Sequence, residues 1–305
     1  MKCLTPRDYE QQFSDRSAAD AAVMVTEAAD LHLPAREKRS HKYSNGRALI
    51  IAGAEGYSGA PVLAANACER SGAGLTRLIV PRSIYFIAAV KCDGAVVTPL
   101  DADRSGALSG RAPEALLPYL NSATACLIGP GLGLGEGARA LVSYALHETS
   151  SPLILDADAL TVAGKYPWML EKCHEPMILT PHEGEFERLG GDLSNGRLAG
   201  ALAFSEAHEN IILVLKGHGT LVCQGGQAFV NPTGSPALAK GGTGDVLAGV
   251  LCALLAQGIE PLEAARSAVY LHGLAGDLAA QETGEYSLTP SDVIRYLPAA
   301  FKTIL

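Results

Sequence analysis

The chain has 305 residues, 48% of them hydrophobic and 18% charged, with a formal net charge of −8 from 24 Lys and Arg against 32 Asp and Glu. Its length supports a large buried core, and its composition excludes a disordered, collagen-like or disulfide-stapled chain. The acidic balance argues against broad nucleic-acid binding, and no apolar run reaches the roughly 18 residues of a membrane span.

The N-terminus has no apolar secretory segment, and the seven cysteines form no CxxC pair. The expectation is a cytoplasmic protein in a reducing compartment, without a membrane or nucleic-acid partner. In chain order, Ser14 to Leu33 is Ala-rich with charges at helical spacing and predicts a helix. The basic stretch through Arg36, Lys38, Arg39 and Lys42 then reads as a solvated connector, with phosphate contact as the alternative. Residues 1–40 are therefore set apart as an N-terminal helical extension and connector, and 41–305 as a single domain.

From Arg47 the pattern becomes strand, Gly-rich turn, helix. Ala48–Ala52, Leu75–Val80, Ala125–Ile128, Leu153–Leu155, Met177–Leu179 and Ile211–Leu215 are continuous apolar runs, as expected of strands buried on both faces of a parallel sheet. Helical stretches separate them at Ala60–Ser71, Ala112–Leu120, Glu136–His147 and Leu198–His208. Thr220–Cys223, Gly225-Gly226 and Gln227–Val230 predict a β-hairpin. The last third reads as helices over Gly244–Gln257, Pro261–Glu282 and Pro290–Ala299, the last capped by Thr289. The fold class is α/β, a layered arrangement of helices around a mostly parallel central sheet.

Ligands of such folds bind beyond the carboxyl ends of the strands. Five of these ends carry Gly or polar residues: Gly53–Pro61, Gly129–Gly133, Asp156-Ala-Asp158, Thr180–Glu185 and Lys216–Thr220. Together they predict one binding rim. Gly241-Gly242-Thr243-Gly244 opens a helix, so uncovered backbone N–H groups and the helix dipole would form an anion hole. Asp245 beside it is placed to take a proton from a hydroxyl; a plain turn with Asp as a cap is the alternative. Lys216-Gly217-His218-Gly219-Thr220 suits phosphate or ribose oxygens, or is a tight turn. At Thr180–Glu185 the spacing predicts Thr180 as N-cap, Pro181 at N1 and Glu183 at N3, with His182 projecting toward the rim. Asp156 and Asp158 would help hold a hydrated Mg²⁺ or would simply be solvated. HExxH, the P-loop, GxGxxG and GxSxG motifs are all absent.

The segment Gly-Ser-Pro-Ala-Leu-Ala-Lys-Gly-Gly-Thr-Gly-Asp-Val-Leu-Ala-Gly (234–249) resembles the signature of the NAD(P)H-hydrate dehydratases, the C-terminal half of bifunctional nicotinamide-nucleotide repair proteins and a branch of the ribokinase-like superfamily. Gly56–Pro61, Arg70–Leu75, Gly129–Gly133, Leu155–Leu160 and Thr180–Glu185 recur there in the same order. The resemblance runs from about residue 41 to the end. It implies a ribokinase-like fold and nucleotide-dependent dehydration of (6S)-NADHX or NADPHX to NAD(P)H. ADP, or less readily ATP, would be co-substrate with Mg²⁺, whose ligands the motifs leave unassigned. It further implies that Lys216, Gly217, His218, Gly219, Thr220 and Gly244 hold the adenine nucleotide. Ala60, Gly131, His182 and Asp245 would line the hydrate site, with Asp245 catalytic.

A homo-oligomer, with a tetramer as its expected form, is implied as well. So is a functional link to a separate NAD(P)HX epimerase, because residues 1–40 are too few to hold that activity. Tyr43, Ser235 and Thr243 depart from the family pattern of Gly, Asn, and Met or Ser. The competing expectations are a ribokinase-like kinase of a vitamin-precursor alcohol and a catalytically weak nucleotide-binding protein.

Overall fold

The computed structural model describes residues 2–13, 22–31, 33–111, 113–171 and 175–305. The first elements are β1 (Lys2–Leu4), α1 (Pro6–Phe13) and β2 (Val23–Val25). Then come β3 (Arg47–Ile51), α2 (Gly59–Arg70), β4 (Leu75–Pro81), α3 (Tyr85–Lys91), β5 (Val96–Leu100), α4 (Leu117–Leu120) and β6 (Ala125–Ile128). The middle of the chain forms α5 (Glu136–Glu148), β7 (Leu153–Leu155), α6 (Asp158–Lys165), β8 (Met177–Leu179), α7 (Glu183–Arg188), α8 (Arg197–Ala207) and β9 (Ile211–Leu215). It ends with β10 (Leu221–Gln224), β11 (Gln227–Val230), α9 (Thr243–Ala256), α10 (Pro261–Thr283) and α11 (Pro290–Lys302).

All strands join one sheet in the order β1-β2-β11-β10-β9-β8-β7-β6-β3-β4-β5. From β9 to β5 the seven strands run parallel. β10 is antiparallel to both β9 and β11, β2 returns parallel to β11, and β1 closes that edge antiparallel to β2. β3 lies between β6 and β4, so the chain reverses its direction of growth across the sheet there. The crevice beyond β3 and β6 is the topological switch point at which open α/β sheets bind ligands.

One apolar core fills each side of the sheet. Every residue of α9 from Val246 to Ala256 is buried, so its apolar run is a core helix. It lies against α2 closely enough that a Cβ on Gly249 would come within 2.2 Å of the Ala64 carbonyl oxygen.

Several expectations change. Ser14–Leu33 is not one helix. Residues 14–21 and 32 lie outside the described residues, but Val23-Met24-Val25 is a strand followed by a 3₁₀ turn over Ala28–Asp30. β-branched residues alternating at a sheet edge explain that outcome better than helix propensity does. The basic connector is largely exposed, although Arg36 reaches the Gly72 carbonyl and Gln257. Ala112 lies outside the described residues, and the rest of its expected helix is a 3₁₀ turn at Pro113–Leu116 leading into α4. β1, β2 and β5 were not foreseen. The hairpin forms as expected, with Gly225 and Gly226 both at positive φ. Thr289 caps α11 in a reciprocal capping box with Asp292. No helix among the described residues is long and apolar enough to cross a membrane.

Candidate active site

α9 begins in a left-handed turn, with Gly242 at φ 97° as its N-cap. A side chain there is excluded twice over: positive φ disfavours it, and a Cβ would sit 2.8 Å from Leu63 Cδ1 and 2.9 Å from Pro290 Cγ. The approach is pinned by Thr243 Oγ1, which donates to the Leu238 and Lys240 carbonyls, each at 2.8 Å. Lys240 Nζ in turn donates to the Tyr286 and Leu288 carbonyls at 2.6 Å. Among the described residues, the N–H groups of Gly241, Gly242 and Gly244 find no backbone acceptor, whereas that of Thr243 meets the Lys240 carbonyl at 3.4 Å. Three of the four expected anion-hole amides are thus free, and Thr243 shapes the loop.

Asp245 lies in the first turn of α9. Burial, helped by the charges of Asp156 and Asp158 and opposed by Lys216, pushes its carboxyl pKa up to about 7. Asp156 follows β7 and is buried. It accepts from Thr180 Oγ1 at 2.7 Å and from Lys216 Nζ at 3.0 Å. Lys216 Nζ also stands 3.7 Å from Glu185 Oε2. Burial pulls the Lys216 pKa down, and the carboxylates of Asp156, Glu185 and Asp245 more than offset it. The Asp156-Ala157-Asp158 corner contains Ala157 at φ 50°, the one non-Gly residue at positive φ among the described residues. Asp158, its pKa raised chiefly by burial, accepts from the Gly133 N–H at 2.8 Å and so fixes the Gly129–Gly133 loop.

The expected cap at Thr180 is corrected. His182 is the N-cap of α7, its Nδ1 accepting from Glu185 N at 3.3 Å while Glu185 Oε2 accepts from His182 N at 2.9 Å. Thr180 cannot fill that role because its hydroxyl is committed to Asp156, 24 residues earlier. Thr220 Oγ1 closes its own loop, donating to the Gly217 carbonyl at 3.0 Å and accepting from Gly217 N at 3.3 Å.

A cavity of about 740 Å³ is lined by His182, Lys216, Gly217, His218, Gly219, Thr220, Gly241, Gly242, Thr243 and Gly244. Residues more than 60 apart in the chain therefore share one wall. Asp245 is next to this lining. Ala60 and Gly131 are not part of it but adjoin each other, a Cβ on Gly131 falling 3.4 Å from that of Ala60, at the β3/β6 switch point. A second concavity of about 1380 Å³, bounded by Arg82, Asp101 and Arg104, contains none of the expected site residues.

Sequence reasoning did not single out Glu185, Arg197 or His272. His272 is buried in the cavity wall, its Nε2 without a hydrogen-bond partner, and burial pushes its pKa down to about 4. Its position on α10 carried no local signal. No trio of His, Cys, Asp or Glu among the described residues could hold a metal by itself. Mg²⁺ typically takes one or two carboxylates and the phosphates of its substrate, and Asp156 and Asp158, on one corner of the rim, are carboxylates of that type.

Fold and site together define a ribokinase-like α/β protein with a nucleotide-sized cavity at a helix N-terminus. The profile of the NAD(P)H-hydrate dehydratases matches residues 48–299, and the chain belongs to that family. It is 37% identical over 277 residues to the bifunctional NAD(P)H-hydrate repair enzyme Nnr of Moorella thermoacetica, covering 89% of this chain and 52% of that one. The chain thus spans about half the length of its bifunctional relatives. It is 33% identical over 284 residues to the ADP-dependent (S)-NAD(P)H-hydrate dehydratase of Listeria monocytogenes, covering 88% of this chain and 92% of that one. The crystal structure of the ADP/ATP-dependent NAD(P)H-hydrate dehydratase of Bacillus subtilis, co-crystallised with ATP/Mg²⁺, superposes with a TM-score of 0.79. It is 31% identical, and the match covers 93% of this chain and 99% of that one.

Proposed function

We propose that this chain dehydrates (6S)-NADHX or NADPHX to NAD(P)H at the expense of ADP, with ATP the less favoured donor. The observation that carries the reading is Asp245, a carboxyl with a pKa raised to about 7, set beside three free amides at the mouth of a nucleotide-sized cavity. Lys216 to Thr220 and Gly244 hold the nucleotide, and Ala60, Gly131, His182 and Asp245 the hydrate. Residues 41–305 form the catalytic domain, to which residues 1–40 add edge strands.

Hydroxide is a poor leaving group, so the ring hydroxyl is first converted to a phosphate ester. Asp245 takes the hydroxyl proton as the oxygen attacks the terminal phosphorus of the nucleotide. A P–O bond forms to the ring oxygen, and the P–O bond to the AMP or ADP leaving group breaks. The amides of Gly241, Gly242 and Gly244 stabilise the charge that develops on the transferred group. The ring nitrogen's lone pair then expels phosphate by breaking the C–O bond, and loss of a proton from the neighbouring carbon restores the dihydropyridine. The sum is hydrate plus ADP giving NAD(P)H, phosphate and AMP. Mg²⁺, held by the phosphates with Asp156 or Asp158, would neutralise phosphate charge.

An epimerase activity converting the 6R hydrate is the functional partner of this reading. Homo-oligomer formation, with a tetramer as the expectation, is supported by Phe86, Ile87 and Val90 standing exposed on α3, and analytical ultracentrifugation measures it. The reaction is tested with purified protein, Mg²⁺ and NADHX, adding ADP or ATP in turn. Equal return of NADH absorbance and release of phosphate supports it. A stable phosphorylated product without NADH would instead identify a small-molecule kinase.

A further inference from the structure

Arg197 opens α8, where a cation faces the positive end of the helix dipole and gains nothing from the helix. Its partners account for its position. Nη1 donates to the His218 carbonyl at 2.7 Å, and Nη2 lies 3.3 Å from the carbonyls of both Leu215 and Lys216. Nε is 3.0 Å from Glu183 Oε1, and the side chain is only 13% exposed. The planar guanidinium thus receives the last carbonyl of β9, two carbonyls of the loop after it and a carboxylate of α7 at the same time, an arrangement that a point-charge ammonium cannot reproduce. It also fills the space over Gly217, where a Cβ would come 2.6 Å from Nη2.

The backbone of Lys216 is held at both ends, its N–H donating to the Pro181 carbonyl at 2.8 Å and its own carbonyl meeting Arg197. That double attachment aims Nζ at Asp156 and Glu185. Each trans peptide that turns its carbonyl to the guanidinium turns its N–H the other way. The Gly219 N–H therefore faces away from Arg197 and stays available.

We infer that Arg197 is a positioning residue of the nucleotide site: its guanidinium sets the shape of the Lys216–Thr220 loop and fixes that loop against α7. The inference rests on the proposed reading of this loop as the nucleotide-binding segment.

Arg197→Ala and Arg197→Lys are compared with the wild-type chain by three measurements: ADP binding by calorimetry with Mg²⁺, amide hydrogen exchange across residues 216–220, and steady-state kinetics. Arg197→Ala is expected to weaken ADP about tenfold, with kcat at saturating ADP changed far less, and to speed exchange in 216–220. Guanidinium ion at low millimolar concentration should restore part of the ADP affinity, because it refills the vacated site. Arg197→Lys should fall between wild type and alanine.

ADP affinity unchanged in Arg197→Ala, or unchanged loop exchange, overturns the inference. If the alanine variant does not fold, wild-type affinity and exchange in Arg197→Lys overturn it. A wild-type chain that binds neither ADP nor ATP defeats the nucleotide reading and the inference with it. ADP bound equally by wild type and both variants defeats the inference alone.

Discussion

The role of base proposed for Asp245 rests on surroundings that make its ionisation costly. Burial and the neighbouring Asp156 and Asp158 raise its pKa to about 7, against the partial relief that Lys216 gives. Asp245→Asn should lower kcat by about a thousandfold, since the general base is lost while the hole and the cavity remain; stopped-flow NADH absorbance reads it. In the wild type, kcat/KM should rise with pH through a limb near 7. The same shift acts on stability with a defined sign. Between the ordinary Asp value of 3.8 and about 7 the folded state holds a proton that the unfolded state has lost, so wild-type stability falls as pH rises through that window. Asp245→Asn escapes the penalty. Its urea midpoint should exceed that of the wild type by more at pH 8 than at pH 5, and a gap independent of pH would contradict the raised pKa.

Two pairs of elements bring the site together. α2 and α9 approach at Gly249, where any side chain meets the Ala64 carbonyl. Gly249→Ala should therefore cost about 1–3 kcal/mol in urea unfolding, as overpacking does, and displace Asp245 relative to Ala60 enough to lower kcat as well. Gly241→Ala is its control: nothing lies within 4 Å of a Cβ there and φ is not positive, so stability should stay within about 0.5 kcal/mol. The second pair joins α1 to the nucleotide loop. The Phe13 ring packs against His218 with centroids 5.7 Å apart and the rings tilted by 53°, and it crowds Gly219, where a Cβ would lie 2.4 Å from Phe13 Cδ1. The N-terminal arm thus buttresses the loop at Gly219, where Arg197 covers Gly217. Phe13→Ala should weaken ADP several-fold and lower the melting temperature, by calorimetry, because it leaves a cavity in the core that Phe13 shares with Tyr9 and Val23.

At the scale of the whole molecule, one sheet carries both the arm and the site. β2 pairs with β11 and β1 closes beyond it, so these two strands protect an edge that would otherwise be an open hairpin strand. Removing residues 1–31 should expose β11 and promote association, seen as an increase in mass by light scattering, while ADP affinity falls for lack of Phe13. The parallel strands place five loops on one rim, and α9, buried almost throughout, points its N-terminus at that rim. The proposed anion hole would be rigid because the helix that supplies it is part of the core.

The parallel strands were legible in the sequence because strands buried on both faces must be continuously apolar, as Ala48–Ala52 and Ile211–Leu215 are. Burial requires nothing more specific than that. The rim was legible for a related reason: Gly241 to Asp245 and Lys216 to Thr220 stand directly after or before apolar segments, and backbone that approaches a ligand needs glycine. The tertiary structure alone decided what depends on partners far along the chain. Val23–Val25 became a strand because β11, some 200 residues later, offers it an edge. The cap of α7 moved from Thr180 to His182 because the Thr180 hydroxyl is drawn to Asp156. Lys216 meets Asp156 across 60 residues, and Arg197 reaches the end of β9 and two carbonyls of the following loop, which no local spacing ties to it. The raised pKa of Asp245 belongs with these, because desolvation and the field of Asp156 and Asp158 arise only once the sheet and helices have closed around them.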